Sequence, residues 1–512
     1  MSEAIDAPGV HTLSSADRAF FGHPTGLSTL FFTEMWERFS YYGMRAILTL
    51  YMTKSLVEGG LGFDERYASV IYATYVSSVW YLPLIGGWLA DRVFGARRAV
   101  LIGGIIIACG HYSMAINSQL TFYSGLILIA CGTGLLKPNI SAMVGQLYSE
   151  EDKRRDAGFS IFYMGINLGA FLSPIVVGFL AQSSSFRNLI SSLGFNPNSS
   201  WHWGFGAAGV GMTLGLIQYV LGAKRLSTVG NKPDSRVQAQ SSEAVRVDYV
   251  TMILAIVGGV AGATLGFAFG DAGALSALFP CVVGFFAGYL LGTTRLLNGE
   301  ELKRVLVIFI LFLFSILFWM TYEQAGSSLT LFADRLTRTT LLGWQYPSSW
   351  FQSVPAIFVI MLAPVFGAIW QKLGDRQPSS PGKFTIGLFF AGIAFVVIAF
   401  ASTLTQGGRV SPMWLVIVYF LQTVGELCLS PVGLSTVTKL SPARMVGLML
   451  GVWFLSISIG SYIAGLTTRL FEGNDPSVLT RAFGIFAGIT LLAAALLAVL
   501  TPLIKRMTPK AA

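Results

Sequence analysis

The chain has 512 residues, of which 54% are hydrophobic and only 12% charged. A soluble domain carries about 25% charged residues, so this composition excludes a string of ordinary soluble domains and points to a polytopic membrane protein. The net charge of +9 is accounted for by basic loops on the inner face of a membrane and gives no ground for a nucleic-acid partner.

Residues 1–26 are polar and lack a basic start followed by an apolar core. They read as a cytoplasmic N-terminal segment and not as a cleavable signal. Fourteen apolar runs follow, each near the roughly 20 residues that a bilayer-spanning helix needs. Their predicted limits are 27–56, 66–94, 97–117, 120–148, 156–182, 203–222, 248–270, 273–293, 303–333, 348–373, 384–403, 412–438, 444–471 and 478–504. Several are long enough to imply tilt or extension into water. With the N-terminus placed in the cytoplasm, 23 of the 34 Lys and Arg residues fall in cytoplasmic segments and eight on the opposite side. The remaining three, Arg38, Arg45 and Lys137, lie inside helices. That asymmetry predicts both termini inside.

The first run contains FFTEMWERFSYYGMRAILTLYM, with Glu34, Glu37, Arg38 and Arg45 where lipid would be expected. At 100° per residue, Glu34, Glu37, Arg38, Tyr41 and Arg45 fall at about 0°, 300°, 40°, 340° and 20°. They make one stripe about 100° wide, flanked by Tyr42. Glu34 is near enough to the helix start to reach water, but Arg45 stands about 16 Å further along. Charges at such depth avoid lipid and usually line a substrate or ion path.

The second run ends in GGWLADRVFGARR (86–98), and the fourth carries Lys137 in GLLKPNI. The stretch 222–249 is polar, basic and rich in Ser and Gln, a cytoplasmic linker. The next two runs contain a single charge, Asp248, and read as a hairpin inserted between six helices and six helices. The later runs supply two more deep carboxylates, Glu323 and Glu426. Because an unpaired buried charge is costly, pairs between the early cations and these late carboxylates are expected. A carboxylate beside a cation stays ionised, and one separated from it in an apolar cavity takes up a proton more readily. Cys109, Cys131, Cys281 and Cys428 lie in apolar runs without metal-ligand spacing, so neither a disulfide framework nor a metal site is expected. No P-loop, His-Glu-x-x-His or Gly-x-Ser-x-Gly motif marks the chain as an enzyme.

GGWLADRVFGARR matches the G-x-x-x-D-R-x-x-G-x-R-R signature of the major facilitator superfamily through Gly87, Asp91, Arg92, Gly95, Arg97 and Arg98. The first-run stretch resembles the E-x-x-E-R-F-x-Y-Y-G motif of the proton-dependent oligopeptide transporter family. GLLKPNI, FSIFYMGINLGAFLSP (159–174), FWMTYEQAGSSLTLFA (318–333), GELCLSPVGLSTVTKLSP (425–442) and GVWFLSISIGSYIAG (451–465) resemble further elements of that family in order. The resemblance implies an all-α membrane protein of the major facilitator fold, two six-helix bundles plus two inserted helices. The segments are 1–26, a bundle over 27–222, linker and hairpin over 223–300, and a bundle with a short tail over 301–512.

Carried over residue by residue, the resemblance assigns Glu34, Glu37, Arg38, Lys137 and Glu323 to proton coupling. Arg45 with Glu323, and Lys137 with Glu426, would be salt bridges that close a gate between the halves. Arg45 and Lys137 would attract a peptide carboxylate, and Glu426 with Asn167 would hold the amino terminus. Tyr41, Tyr42, Tyr75, Tyr163, Trp319, Trp453 and Phe454 would shape the side-chain pockets, with Ser430 a further polar contact. FQSVPAIF (351–358) places Pro355 where the family often has an Asn, so either the register shifts there or that contact is absent. His11, His23, His111 and His202 all lie off the polar stripe, which leaves carboxylates to bind the proton.

The implied function is proton-coupled import of di- and tripeptides across a bacterial cytoplasmic membrane. The implied protein works as a monomer, with no cofactor beyond the proton gradient and with the bilayer as its only other partner. A transporter of nitrate or another non-peptide solute is the alternative, though such relatives often alter the E-x-x-E-R motif or the fourth-helix Lys. A drug exporter would not be expected to carry the whole set, and a receptor without transport would not accumulate solute.

Overall fold

The computed structural model describes residues 17–149, 152, 154–231, 248–270, 273–442, 445–467, 469 and 475–507. His11, most of the linker, and the last five residues lie outside these. All fourteen apolar runs form helices close to their predicted limits. The first group comprises α1 (Thr25–Thr53), α2 (Glu65–Leu89), α3 (Ala96–Met114), α4 (Gln119–Gln146), α5 (Arg155–Gln182), the short α6 (Ser184–Ser192) and α7 (Ser200–Leu221). The hairpin is α8 (Tyr249–Phe269) and α9 (Ala274–Thr294). The second group comprises α10 (Gly299–Tyr322), the short α11 (Ser328–Arg335), α12 (Val354–Leu373), α13 (Ser380–Thr403), α14 (Met413–Leu440), α15 (Val446–Leu466) and α16 (Pro476–Met507). Among the described residues, twelve helical segments are long and apolar enough to cross a membrane by composition alone. α1 carries too many charges to qualify and α3 opens on Arg97 and Arg98, yet both pack as full members of the first group.

Small residues set the closest approaches. A Cβ built at Gly169 of α5 would lie 2.2 Å from the Met35 carbonyl oxygen of α1, and one at Gly165 would meet the Phe31 ring. α1 therefore lies directly on the glycine face of α5, a packing mode common between membrane helices. This seats the polar stripe inside the protein: Glu34, Glu37 and Arg38 are all buried. The hairpin is built the same way, with Gly258 of α8 against Gly284 of α9. Its base is closed by the Arg295–Asp248 ion pair, and Phe279 stacks on Tyr462 of α15 at 4.4 Å.

Two predicted spans are not continuous α-helix. The run 303–333 breaks after Tyr322 into a 3₁₀ turn, Glu323–Gly326, before α11 begins. The break is held from outside: the Gln324 amide donates to Thr467 at 2.7 Å, and the Ser327 hydroxyl donates to the Ala464 carbonyl at 3.1 Å. The run 348–373 starts as a 3₁₀ turn, Ser348–Ser353, and α12 begins with Pro355 in its first turn, where the missing N–H has no helical partner to lose. A two-residue hairpin between Thr340–Leu341 and Trp344–Gln345 also forms, turned by Leu342 and Gly343 with positive φ.

The two groups meet unevenly. Every hydrogen bond and ion pair described between them lies toward the end of the molecule remote from residue 25. Thr49 donates to the Gly326 carbonyl at 3.0 Å, Lys54 pairs with Asp334 at 3.1 Å, and Arg335 with Glu65 at 2.8 Å. Gln182 reaches Ser348, Trp350 reaches the Ile175 carbonyl, Ser353 that of Phe171, and Ser458 that of Ser77. The remote side is closed by this seam.

Candidate functional site

The interior between the two groups is built on α1. Arg38 Nε lies 2.9 Å from Glu34 Oε1 and 2.5 Å from Glu37 Oε2, and its guanidinium faces the Tyr41 ring at 5.6 Å. Further along the same stripe, Arg45 Nη2 lies 2.5 Å from Glu323 Oε2, and Arg45 Nε donates to the Tyr72 hydroxyl at 2.9 Å. Arg45 and Glu323 are 7% and 3% exposed, so this ion pair joins the two groups out of reach of bulk water. The 3₁₀ break positions it, because Glu323 is the first residue after α10.

α4 explains its own Lys-Pro-Asn sequence. Pro138 has no N–H, which leaves the Gly134 carbonyl without its intrahelical donor. α2 fits against that point because Gly86 has no side chain: a Cβ there would lie 2.0 Å from the Gly134 oxygen. The Asn139 amide bonds the Leu135 carbonyl at 2.7 Å beside this point. Lys137, just before the Pro, sends its ammonium into the interior. Nζ is buried, lies 3.3 Å from the centroid of the Trp80 ring, and has no hydrogen-bond partner among the described residues. It stands in the combined field of Arg38, Glu37, Glu34 and Glu323.

Glu426, on α14, accepts a hydrogen bond from the Tyr322 hydroxyl at 2.6 Å. The expected Lys137–Glu426 bridge is therefore not made in this structure; each group rests on an aromatic side chain instead. The seam on the remote side draws Arg45 and Glu323 together, whereas Lys137 and Glu426 lie outside it. Ser430 sits half-buried one turn beyond Glu426.

The aromatic side chains gather around these charges. Tyr41 and Tyr42 meet edge to face at 5.1 Å, and Tyr42 lies in the field of Arg38, Arg45, Glu323 and Glu426. Tyr75 is buried with its hydroxyl unpartnered among the described residues. Trp80 stacks on Phe454 at 6.5 Å and lies 6.4 Å from Trp319. Trp453 is buried against Phe384 and over Gly433. Tyr163 is 39% exposed, and its carbonyl accepts from the Asn167 amide at 3.0 Å. Near Pro355, Gln352 donates to the Ala325 carbonyl and Ser353 to that of Phe171, so this segment locks the 3₁₀ break to α5.

Sequence reasoning missed Tyr72, Tyr322 and Trp80. Tyr72 lies one turn from Tyr75, and Tyr322 lies one turn from Trp319 and next to Glu323. Helical spacing from predicted site residues could have found both. The three described histidines stand elsewhere. His23 bonds Tyr148 at 2.9 Å, His202 bonds the Met114 carbonyl at 3.1 Å, and His111 is buried without a described partner. No cluster of three His, Cys, Asp or Glu side chains that could hold a metal occurs among the described residues.

Among the described residues, fourteen long helices packed in two groups and a hairpin, with acidic and basic side chains buried between the groups, define a polytopic membrane transport protein. Comparison with known proteins gives the family. The model of the POT family matches residues 97–484. The chain is 38% identical over 516 residues to the peptide transporter YePEPT of Yersinia enterocolitica, covering 97% of both chains. It is 35% identical over 501 residues to the di-/tripeptide transporter of Lactococcus lactis subsp. cremoris, covering 94% of this chain and 97% of that one. A crystal structure of a peptide transporter, in a mutant form bound to alafosfalin, superposes with a TM-score of 0.82 at 42% identity, covering 96% and 98% of the two chains. The protein belongs to the POT family of transporters, with that family's helical membrane fold.

Proposed function

We propose that this protein is a proton-coupled symporter of di- and tripeptides that works by alternating access across a bacterial cytoplasmic membrane, with both termini in the cytoplasm. The single observation that carries the reading is the buried Arg45–Glu323 pair, set among further charges contributed by both groups of helices. A peptide zwitterion needs a cation for its carboxylate and an anion for its amine. Arg45 and Lys137 supply the first, Glu426 with Asn167 the second, and the surrounding rings give area without a fixed hydrogen-bond pattern.

In this reading 27–222 and 301–512 are the two bodies that rock, as in other transporters with a midplane site. The remote side, closed by the seam, is taken in this reading as the outside, and Arg45–Glu323 with the seam around it locks that side shut. Protonation of Glu323 removes its charge, frees Arg45 and weakens the lock. The Glu34–Glu37–Arg38 cluster exchanges partners with Lys137, so proton binding at one end of the stripe and carboxylate binding at the other draw on the same cations. The protein acts as a monomer in this account and needs only the proton gradient.

The reading is tested in proteoliposomes under an imposed proton gradient, with labelled dipeptide and competing dipeptides, tripeptides and nitrate. Peptides of two and three residues compete and nitrate does not. Competition by nitrate alone would replace the peptide reading with its alternative.

A further inference from the structure

We propose that Trp80 is the ligand-free partner of Lys137 and competes with the substrate carboxylate for it, which makes this ring a specificity-determining element; the inference rests on the peptide reading above. The ammonium sits 3.3 Å from the ring centroid with no hydrogen-bond partner among the described residues. Trp is the side chain whose face best receives a cation, and the attraction grows when water is absent. The ring itself is fixed from both groups of helices. Trp80 stands on α2 of the first, stacks on Phe454 of α15 with planes 16° apart, and adjoins Trp319 of α10. Its indole nitrogen has no described hydrogen-bond partner, so stacking and the cation hold it.

Such a partner is intermediate in strength. It keeps the Lys137 ammonium in place while the site is empty, yet yields to a carboxylate, whose full negative charge attracts the ammonium more strongly than a ring quadrupole does. The affinity gained from a ligand carboxylate is then the difference between the two interactions. A ligand ending in an uncharged amide cannot displace the ring and is insensitive to it. Removing the ring should therefore tighten binding of carboxylate-bearing ligands selectively.

Two double-mutant cycles test this with the full-length protein. In the first, binding of dialanine and of dialanine amide is measured for wild type, Trp80→Leu, Lys137→Gln and the double variant. Trp80→Leu raises the ratio of the two affinities about three- to tenfold, Trp80→Phe raises it less, and the ratio does not respond to Trp80→Leu when Lys137 is Gln. An unchanged ratio in Trp80→Leu, or a change that persists with Lys137→Gln, overturns the proposal. In the second, melting temperatures of the same four ligand-free proteins are compared. Non-additive shifts are expected from the direct contact, and additive shifts overturn it. If wild type binds neither peptide, the peptide reading fails, while the melting cycle still decides the contact.

Discussion

Glu323→Gln removes the charge from one side of the buried bridge and leaves Arg45 with Tyr72 as its remaining described partner. Breaking a buried ion pair from one side costs about 3–5 kcal/mol. The Gln amide oxygen still accepts a hydrogen bond and Arg45 keeps its bond to Tyr72, so the loss should fall near ~2–3 kcal/mol, specific to the closed form. The other two ion pairs of the seam, Lys54–Asp334 and Glu65–Arg335, are partly exposed and worth about 0–1 kcal/mol each. They cannot offset it. At 1.4 kcal/mol per factor of ten, the equilibrium moves roughly 30- to 150-fold toward the form open on the remote side. Val57 and Leu342 are 84% and 99% exposed on that side, one in each group, and suit spin labels. Pulsed dipolar spectroscopy should show a longer-distance population growing from minor to major in the Glu323→Gln background. An unchanged distribution, together with wild-type uptake, would refute the role given to the bridge.

Glu37→Gln or Lys137→Ala should abolish concentrative uptake driven by a proton gradient; normal accumulation by both would remove the cluster on α1 and its α4 partner from coupling. Glu426→Ala should weaken binding of an ordinary dipeptide at least tenfold more than of one with a blocked amino terminus, measured by competition, and equal losses would take the amine away from Glu426. Gly169→Leu should prevent assembly of α1 on α5, because its Cβ would already lie 2.2 Å from a carbonyl oxygen; a monodisperse, wild-type melting profile would contradict that packing. Outside the membrane span, burial and then the nearby Arg154 hold the His23 imidazole below its ordinary value. Its contribution to stability is present above about pH 6.5 and lost as the pH falls below it, since the unfolded chain then binds the proton more readily. Thermal unfolding between pH 7.5 and 5 should therefore fall less steeply in His23→Gln than in wild type.

The helices were legible because apolar runs of bilayer length leave few alternatives. The stripe on α1 was legible because five polar positions share one face, and the structure does bury Glu34, Glu37, Arg38, Tyr41 and Arg45 on it. The need to pair deep charges called for bridges between the halves, and the family resemblance named Arg45–Glu323 as one of them. The break at Glu323 did not, because Gly326, Ser327 and Ser328 are all tolerated within membrane helices. What interrupts the helix is bonding of Gln324 and Ser327 to the segment around Ala464 and Thr467, far away in sequence. The partners of Lys137 and Glu426 were also hidden. The family resemblance names each as the other's partner, but Trp80 and Tyr322 hold them in this arrangement. An aromatic residue in a membrane helix serves packing, interface and ligand alike, so its sequence position alone does not select among them.

Under the proposed function, peptide and proton move together through this one interior. This coupling is tested most directly with a pH-sensitive dye trapped in proteoliposomes that carry no initial gradient. Adding a di- or tripeptide outside should acidify the lumen, and in Glu37→Gln liposomes the signal should vanish. Peptide entry without any lumenal pH change in the wild-type protein would contradict the account.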